Sequence, residues 1–323
     1  MRKKGFFVVL ATLLLSVGVF FHGQAVTANV VPNNYDPWGK KEVLHYLLWT
    51  VDDKLKEDVK ELQNKLSLSD KEMKKMKELA SVEHENIVQK ERSPGDGSKI
   101  LSKEDVQSFN EQVDTILKKT DEEVHNLLGD KKYAQFRSWV QEWWREEQAY
   151  RSKVLQQIRS QFSEMSSIDR VYVYATQFDA ETASEVALPD RYVKFANRGW
   201  WGDIPDSYEK YYKNTPYTVN VYHEAKGKSV LDVKVNENGP WNRDDNYWDS
   251  ADDANERRMF QDLGLGEPEA EAAYYNNYNN GKDQYGRTVA NPAGIDLARQ
   301  VATKLGLGEK ESAWMWVRYS DLP

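Results

Sequence analysis

The 323-residue chain sets 44 Lys and Arg against 52 Asp and Glu, a formal charge of −8, and holds 11 Trp, 18 Tyr and no Cys. Such acidity argues against nucleic acid and anionic membrane surfaces as partners. The absence of thiols excludes disulfides and cysteine nucleophiles, so packing alone must hold the fold.

The chain opens with the basic Met1-Arg-Lys-Lys4, continues through an apolar segment from Phe6 to Phe21, and reaches the small-residue pattern Val26-Thr-Ala28. This reads as a secretory signal peptide over 1–28. The apolar run of 16 residues contains Thr12, Ser16 and Gly18 and is short for a membrane span. Cleavage would remove Arg2, Lys3 and Lys4, three positive charges, taking −8 to −11. The expected product is secreted, extracellular or cell-wall associated, with no membrane contact after signal cleavage.

From 29 to 38 Pro32 and Pro37 suit an extended lead-in. Leu44, Leu48, Val51, Leu55, Val59, Leu62 and Leu66 then recur at spacings of three and four, the stripe of one long helix. A second helix starts at Ser69-Asp70 with Glu72 and carries Met73, Met76, Leu79 and Ile87 until Ser93-Pro-Gly-Asp-Gly breaks it. The third starts at Ser102, an N-cap candidate with Glu104 and Asp105 in its first turn, and the fourth follows Gly129-Asp130. Four amphipathic helices with short connections predict a helical bundle over 29–165. Its Leu66-Ser-Leu-Ser-Asp70 entry resembles the helix opening of periplasmic stress chaperones of the Spy type, which implies a possible protein partner for the helical domain. His45, His84 and His125 fall here without metal-ligand spacing, so they read as surface or satisfied histidines.

At Ile168 the period changes to two. Arg170 to Thr176, Tyr217 to Tyr222, Val230 to Val235 and Trp314 to Tyr319 predict strands, placing a domain boundary near 165 and a second domain over 166–323. Between Trp241 and Asn291 lies a long polar, aromatic insertion, with short helices expected near 255–263 and 268–275. Its acids, including Asp245, Asp252, Asp253 and Glu256, fit no EF-hand loop, and no metal is expected. No glycine-rich phosphate loop occurs, and no cofactor is expected.

Two acids stand where chemistry could occur. The alternating strand Val233-Lys-Val-Asn-Glu-Asn-Gly-Pro-Trp241 leaves Glu237 at a strand end near Trp241. Asp296, between Ile295 and Leu297, sits where a strand enters a helix, a setting that suits either a general acid in apolar surroundings or a helix cap. Trp200, Trp201, Tyr247 and Trp248 are candidates, with Trp241 and Asp245, for holding sugar rings.

The Tyr217 to Trp241 hairpin, the Gly294-Ile-Asp-Leu-Ala-Arg-Gln-Val-Ala-Thr-Lys-Leu-Gly306 segment and the closing strand to Tyr319 together resemble a double-psi β-barrel of the rare lipoprotein A and expansin type. Glu237 falls where that family's turn has an Asp, Trp241 where it has a Phe, and Asp296 on the Asp of its helix entry. The resemblance implies a cell-wall polysaccharide ligand. That ligand would be either cleaved in the manner of a lytic transglycosylase, with Asp296 as acid and Glu237 assisting, or bound without hydrolysis as by an expansin. The expected fold class is α+β: an N-terminal antiparallel helical bundle followed by a C-terminal double-psi β-barrel domain with a long insertion.

Overall fold

A computed structural model describes residues 35–92, 101–161, 169–180, 184–206, 217–249 and 258–319. The expected signal peptide, with Asp252, Asp253 and Glu256, lies outside the described residues.

Four helices come first: α1 (Val43–Trp49), α2 (Asp53–Lys65), α3 (Asp70–Arg92) and α4 (Lys103–Ser160). The stripe from Leu44 to Leu66, expected as one helix, is interrupted because Thr50 joins the far end of the chain. Thr50 forms a parallel bridge with Ser312, and the Val51 N–H donates to the Ser312 carbonyl at 2.8 Å. Asp52 then restarts the helix by accepting the Leu55 N–H. Ser102 and Asp105 form a capping box at the start of α4. Gly129, at φ 70° and ψ 162°, breaks α4 where two separate helices are expected. The break is a reversal: Tyr133 donates to Asp121 across it, whereas twelve residues of straight helix would separate them by about 18 Å.

The strands are β1 (Arg170–Phe178), β2 (Glu185–Leu188), β3 (Thr218–His223), β4 (Lys228–Asn238), β5 (Ala293–Ala298) and β6 (Ala313–Tyr319). Among them lie the short helices α5 (Arg191–Asn197), α6 (Glu269–Asn276) and α7 (Arg299–Lys304). The sheet closes in the order β1-β5-β2-β4-β3-β6. β1·β5 and β2·β4 are parallel and the remaining pairs antiparallel. The architecture is therefore α+β, helices first and a closed six-stranded barrel after them. β2 escapes sequence reading because its four residues are all buried and show no alternation.

Alternation decides which residues fill the barrel. Val171, Val173, Val219, Val221, Val233, Val235, Ile295, Leu297, Met315 and Val317 form its apolar interior. The alternate residues Tyr174 and Trp314 face outward into a second cluster shared with Leu44, Leu47, Trp144 and the α6 residues Tyr274 and Tyr275. The insertion thus helps to bind the helices to the outside of the barrel. Its expected helix near 268–275 is α6, whereas Arg258, in the segment expected as the other helix, instead bridges Asp245 as an isolated β-pair.

Candidate functional site

The two acids occupy one row of the barrel's outer surface. Ala187 of β2 stands opposite Asp296 on β5 and opposite Glu237 on β4. Two strand spacings separate the acids' backbones, about 9–10 Å. Thr176, the β1 neighbour of Asp296, donates its hydroxyl hydrogen to Asp296 Oδ1. Glu237 is half-buried and accepts the Asn238 N–H at 3.0 Å.

Helix α3 lies over the Asp296 end of that row. The space left beside Asp296 is about 10 Å³, walled by Ile87, Val88 and Glu91 of α3 and by Pro240 and Trp241 of the turn after β4. That is room for about one water and far less than a sugar ring requires.

Most of the aromatic residues expected to carry sugar rings are inside the protein. Trp241 is buried, with its backbone N–H on Glu91 Oε1, its Nε1–H on Asn291 Oδ1, and its ring edge-on to Phe109 at 6.3 Å. Trp248 stacks on Tyr319 at 4.7 Å, and Tyr247 donates to the Gly294 carbonyl at 2.8 Å. Both are fully buried, so protein already occupies the faces a sugar would need. Trp201 is half-buried, and Trp200, 41 % exposed, stacks on Phe195. Asp245 is buried as well and accepts the Glu269 N–H at 2.7 Å. Burial pushes the Asp245 carboxyl up to about 7, and burial, with Asp245 adding to it, pushes Glu269 up to about 9.

An open aromatic surface exists elsewhere. Tyr172 on β1 is level with Trp316 on β6, which is level with Tyr222 on β3, which is level with Ser229 on β4. Cross-strand partners share a face, so three aromatic side chains stand side by side at strand spacing, about 4.8 Å. Tyr172 and Trp316 have centroids 5.1 Å apart, Arg170 lies 4.7 Å over the Trp316 ring, and Trp316 Nε1–H donates to Glu224. Tyr222 and Trp316 border an open groove of about 750 Å³, with Asp169, His223, Lys228 and Arg318 also on its walls. The signal was available in Arg170-Val-Tyr-Val-Tyr and Trp314-Met-Trp, whose period-two alternation puts Tyr172 and Trp316 on the same face as outward residues.

The third arrangement was not legible from spacing. His45 of α1 and His84 of α3 stack face to face at 3.7 Å with 10° between their planes, beside Glu42. All three are buried. Burial, and then the neighbouring His84, holds His45 well below the usual imidazole range.

Residues 173–318 match the model of a domain of unknown function, DUF8814. The match runs from within β1 to within β6, less than half of the chain, and likens the barrel with its insertion to that family. No curated protein and no solved structure matches the chain.

Proposed function

We propose that this chain is a secreted, cell-wall-associated protein whose barrel, a double-psi barrel of the rare lipoprotein A and expansin type, binds wall polysaccharide without cleaving it. The row Tyr172, Trp316, Tyr222 beside an open groove carries this reading. Aromatic faces supply the apolar contact that pyranose C–H groups seek, and the Asp, Arg and Lys groups on the groove walls can pair with sugar hydroxyls. Among the described residues no helix is long and apolar enough to cross a membrane, and export rests on reading 1–28 as a signal peptide.

A lytic reading keeps one observation in its favour, the shared row of Asp296 and Glu237. For Asp296 to protonate a glycosidic oxygen, α3 would have to leave the barrel, because the acid must lie within hydrogen-bond reach of the leaving group. One experiment separates the two readings. Full-length mature protein is incubated with purified insoluble wall polysaccharide, and both retention and soluble fragments are measured. Binding without cleavage predicts retention, no fragments, and at least a tenfold loss of retention in Trp316→Ala and Tyr222→Ala. Fragments that disappear in Asp296→Asn would establish the lytic reading instead, and a wild-type protein that is not retained would refute both.

A further inference from the structure

We infer that Glu42, His45 and His84 form a binding site for a single divalent transition metal ion of the Zn²⁺ class, at the seam between the helices and the barrel. One carboxylate oxygen of Glu42 and one nitrogen of each imidazole lie within 4.8 Å of one another, a spacing that one ion can span. Two neutral imidazoles with one carboxylate form a donor set that suits zinc and leaves a fourth position open.

The surrounding bonds favour a ligand role over mere packing. His45 Nε2–H donates to the Lys310 carbonyl at 3.1 Å, which fixes the tautomer and leaves Nδ1 with its lone pair. Glu42 Oε1 is held by Asn291 Nδ2 at 2.9 Å, while Oε2 meets His84 Nδ1 at 2.5 Å. Each of these two ligands therefore has an outer hydrogen bond that orients it, the arrangement usual around a bound metal. The two rings lie nearly parallel, so each would tilt to point a nitrogen lone pair at one shared ion. A second carboxylate, Glu83, next to His84 in sequence, is buried as well, and its Oε1 has no hydrogen-bond partner.

The histidines sit on α1 and α3, with α2 between them in sequence, and the third support comes from the barrel half through Asn291 and Lys310. A metal here would join α1, α3 and the barrel. His84 also borders an open pocket of about 330 Å³ with Glu85, Gln89, Gln177 and Lys310, from which water could take the fourth position. Binding puts the ion where the hydrogen between His84 Nδ1 and Glu42 Oε2 now lies, and the neutral His84 then carries its single ring proton on Nε2.

The test uses full-length mature protein stripped with a chelator and titrated with Zn²⁺ alone in a calorimeter, with Mg²⁺ as the comparison. The expected result is about one Zn²⁺ per chain, no comparable Mg²⁺ uptake, and at least tenfold weaker Zn²⁺ binding in His84→Gln and His45→Gln. Because a buried histidine variant can fail to fold, the wild type is also loaded with Co²⁺. Visible d–d absorption of a four-coordinate nitrogen and oxygen site is expected, quenched by one equivalent of Zn²⁺. Absence of that absorption in the wild type, or stoichiometric Zn²⁺ uptake unchanged in a folded His84→Gln protein, overturns the assignment.

Discussion

The barrel has two packed surfaces, and they are built on different principles. Its interior is mostly Val, Ile, Leu, Ala and Met, which need only fit, with Tyr247, Trp248 and Tyr319 packed in the same cluster. Its covered exterior, where the helices and the insertion lie, is aromatic and charged: Arg151 is buried between Glu147 and Asp52 and sits 4.9 Å over the ring of Trp314, while Tyr46 donates to Glu147 at 2.6 Å. A polar seam of this kind holds only while every charge keeps its partner. Of the buried aromatic candidates for sugar rings, Trp241 lies in this seam, whereas Tyr247 and Trp248 pack with the barrel's interior cluster; the same residue types serve packing and binding, and only exposure separates them.

The largest expected effect is in the interior, where Leu297→Ala should cost about 2–5 kcal/mol in urea unfolding with no partner able to rescue it. In the seam, Arg151→Met, which keeps apolar volume but leaves the fully buried Glu147 with only Lys54 and Tyr46 as partners, should destabilise by up to about 3 kcal/mol in urea unfolding, and adding Glu147→Gln should recover part of the loss. If the double variant is no better than the single, charge satisfaction is not what holds this surface.

Gly294 probes the place where interior and exterior meet. A Cβ there would stand 2.8 Å from Pro268 Cγ and 3.1 Å from Val173 Cβ. Gly294→Ala should therefore lose about 1–3 kcal/mol, read as a lower thermal midpoint.

The insertion predicts a dependence on pH. Asp245 and Glu269, raised to about 7 and about 9, keep protons in the folded state that the unfolded chain releases near pH 4. Their contribution is complete below about pH 4 and is lost as pH rises through 7 and towards 9. Stability measured from pH 5 to 8 should fall, and Asp245→Asn should flatten the slope; an unchanged slope would mean that Asp245 does not titrate in this range. At the small end, Trp200→Ala on the surface should change stability by less than about 0.5 kcal/mol, with wall retention unaltered if the groove at Trp316 is the binding surface.

Local rules were enough where the physics is local. The reversal at Gly129, the capping box at Ser102, the alternation of β1, β3, β4 and β6, and the passage from strand to helix at Asp296 each depend on neighbours a few residues away. The split of the first stripe at Thr50 could not be read, because the competing partner, Ser312, is at the other end of the chain. The row joining Glu237 and Asp296 through Ala187 has no local signal, since the acids lie far apart in the sequence; only the resemblance to a double-psi barrel implies that they share a site.

The sequence by itself determined periodicity, and with it the order of helices and strands and which residues of each strand share a face. Tertiary structure alone decided exposure: that α3 would close over Asp296, that Trp241, Tyr247 and Trp248 would be packed away, that Tyr172, Trp316 and Tyr222 would line up at an open surface, and that His45 would stack on His84. Periodicity is a property of consecutive residues, whereas exposure depends on what arrives from elsewhere in the chain to cover them.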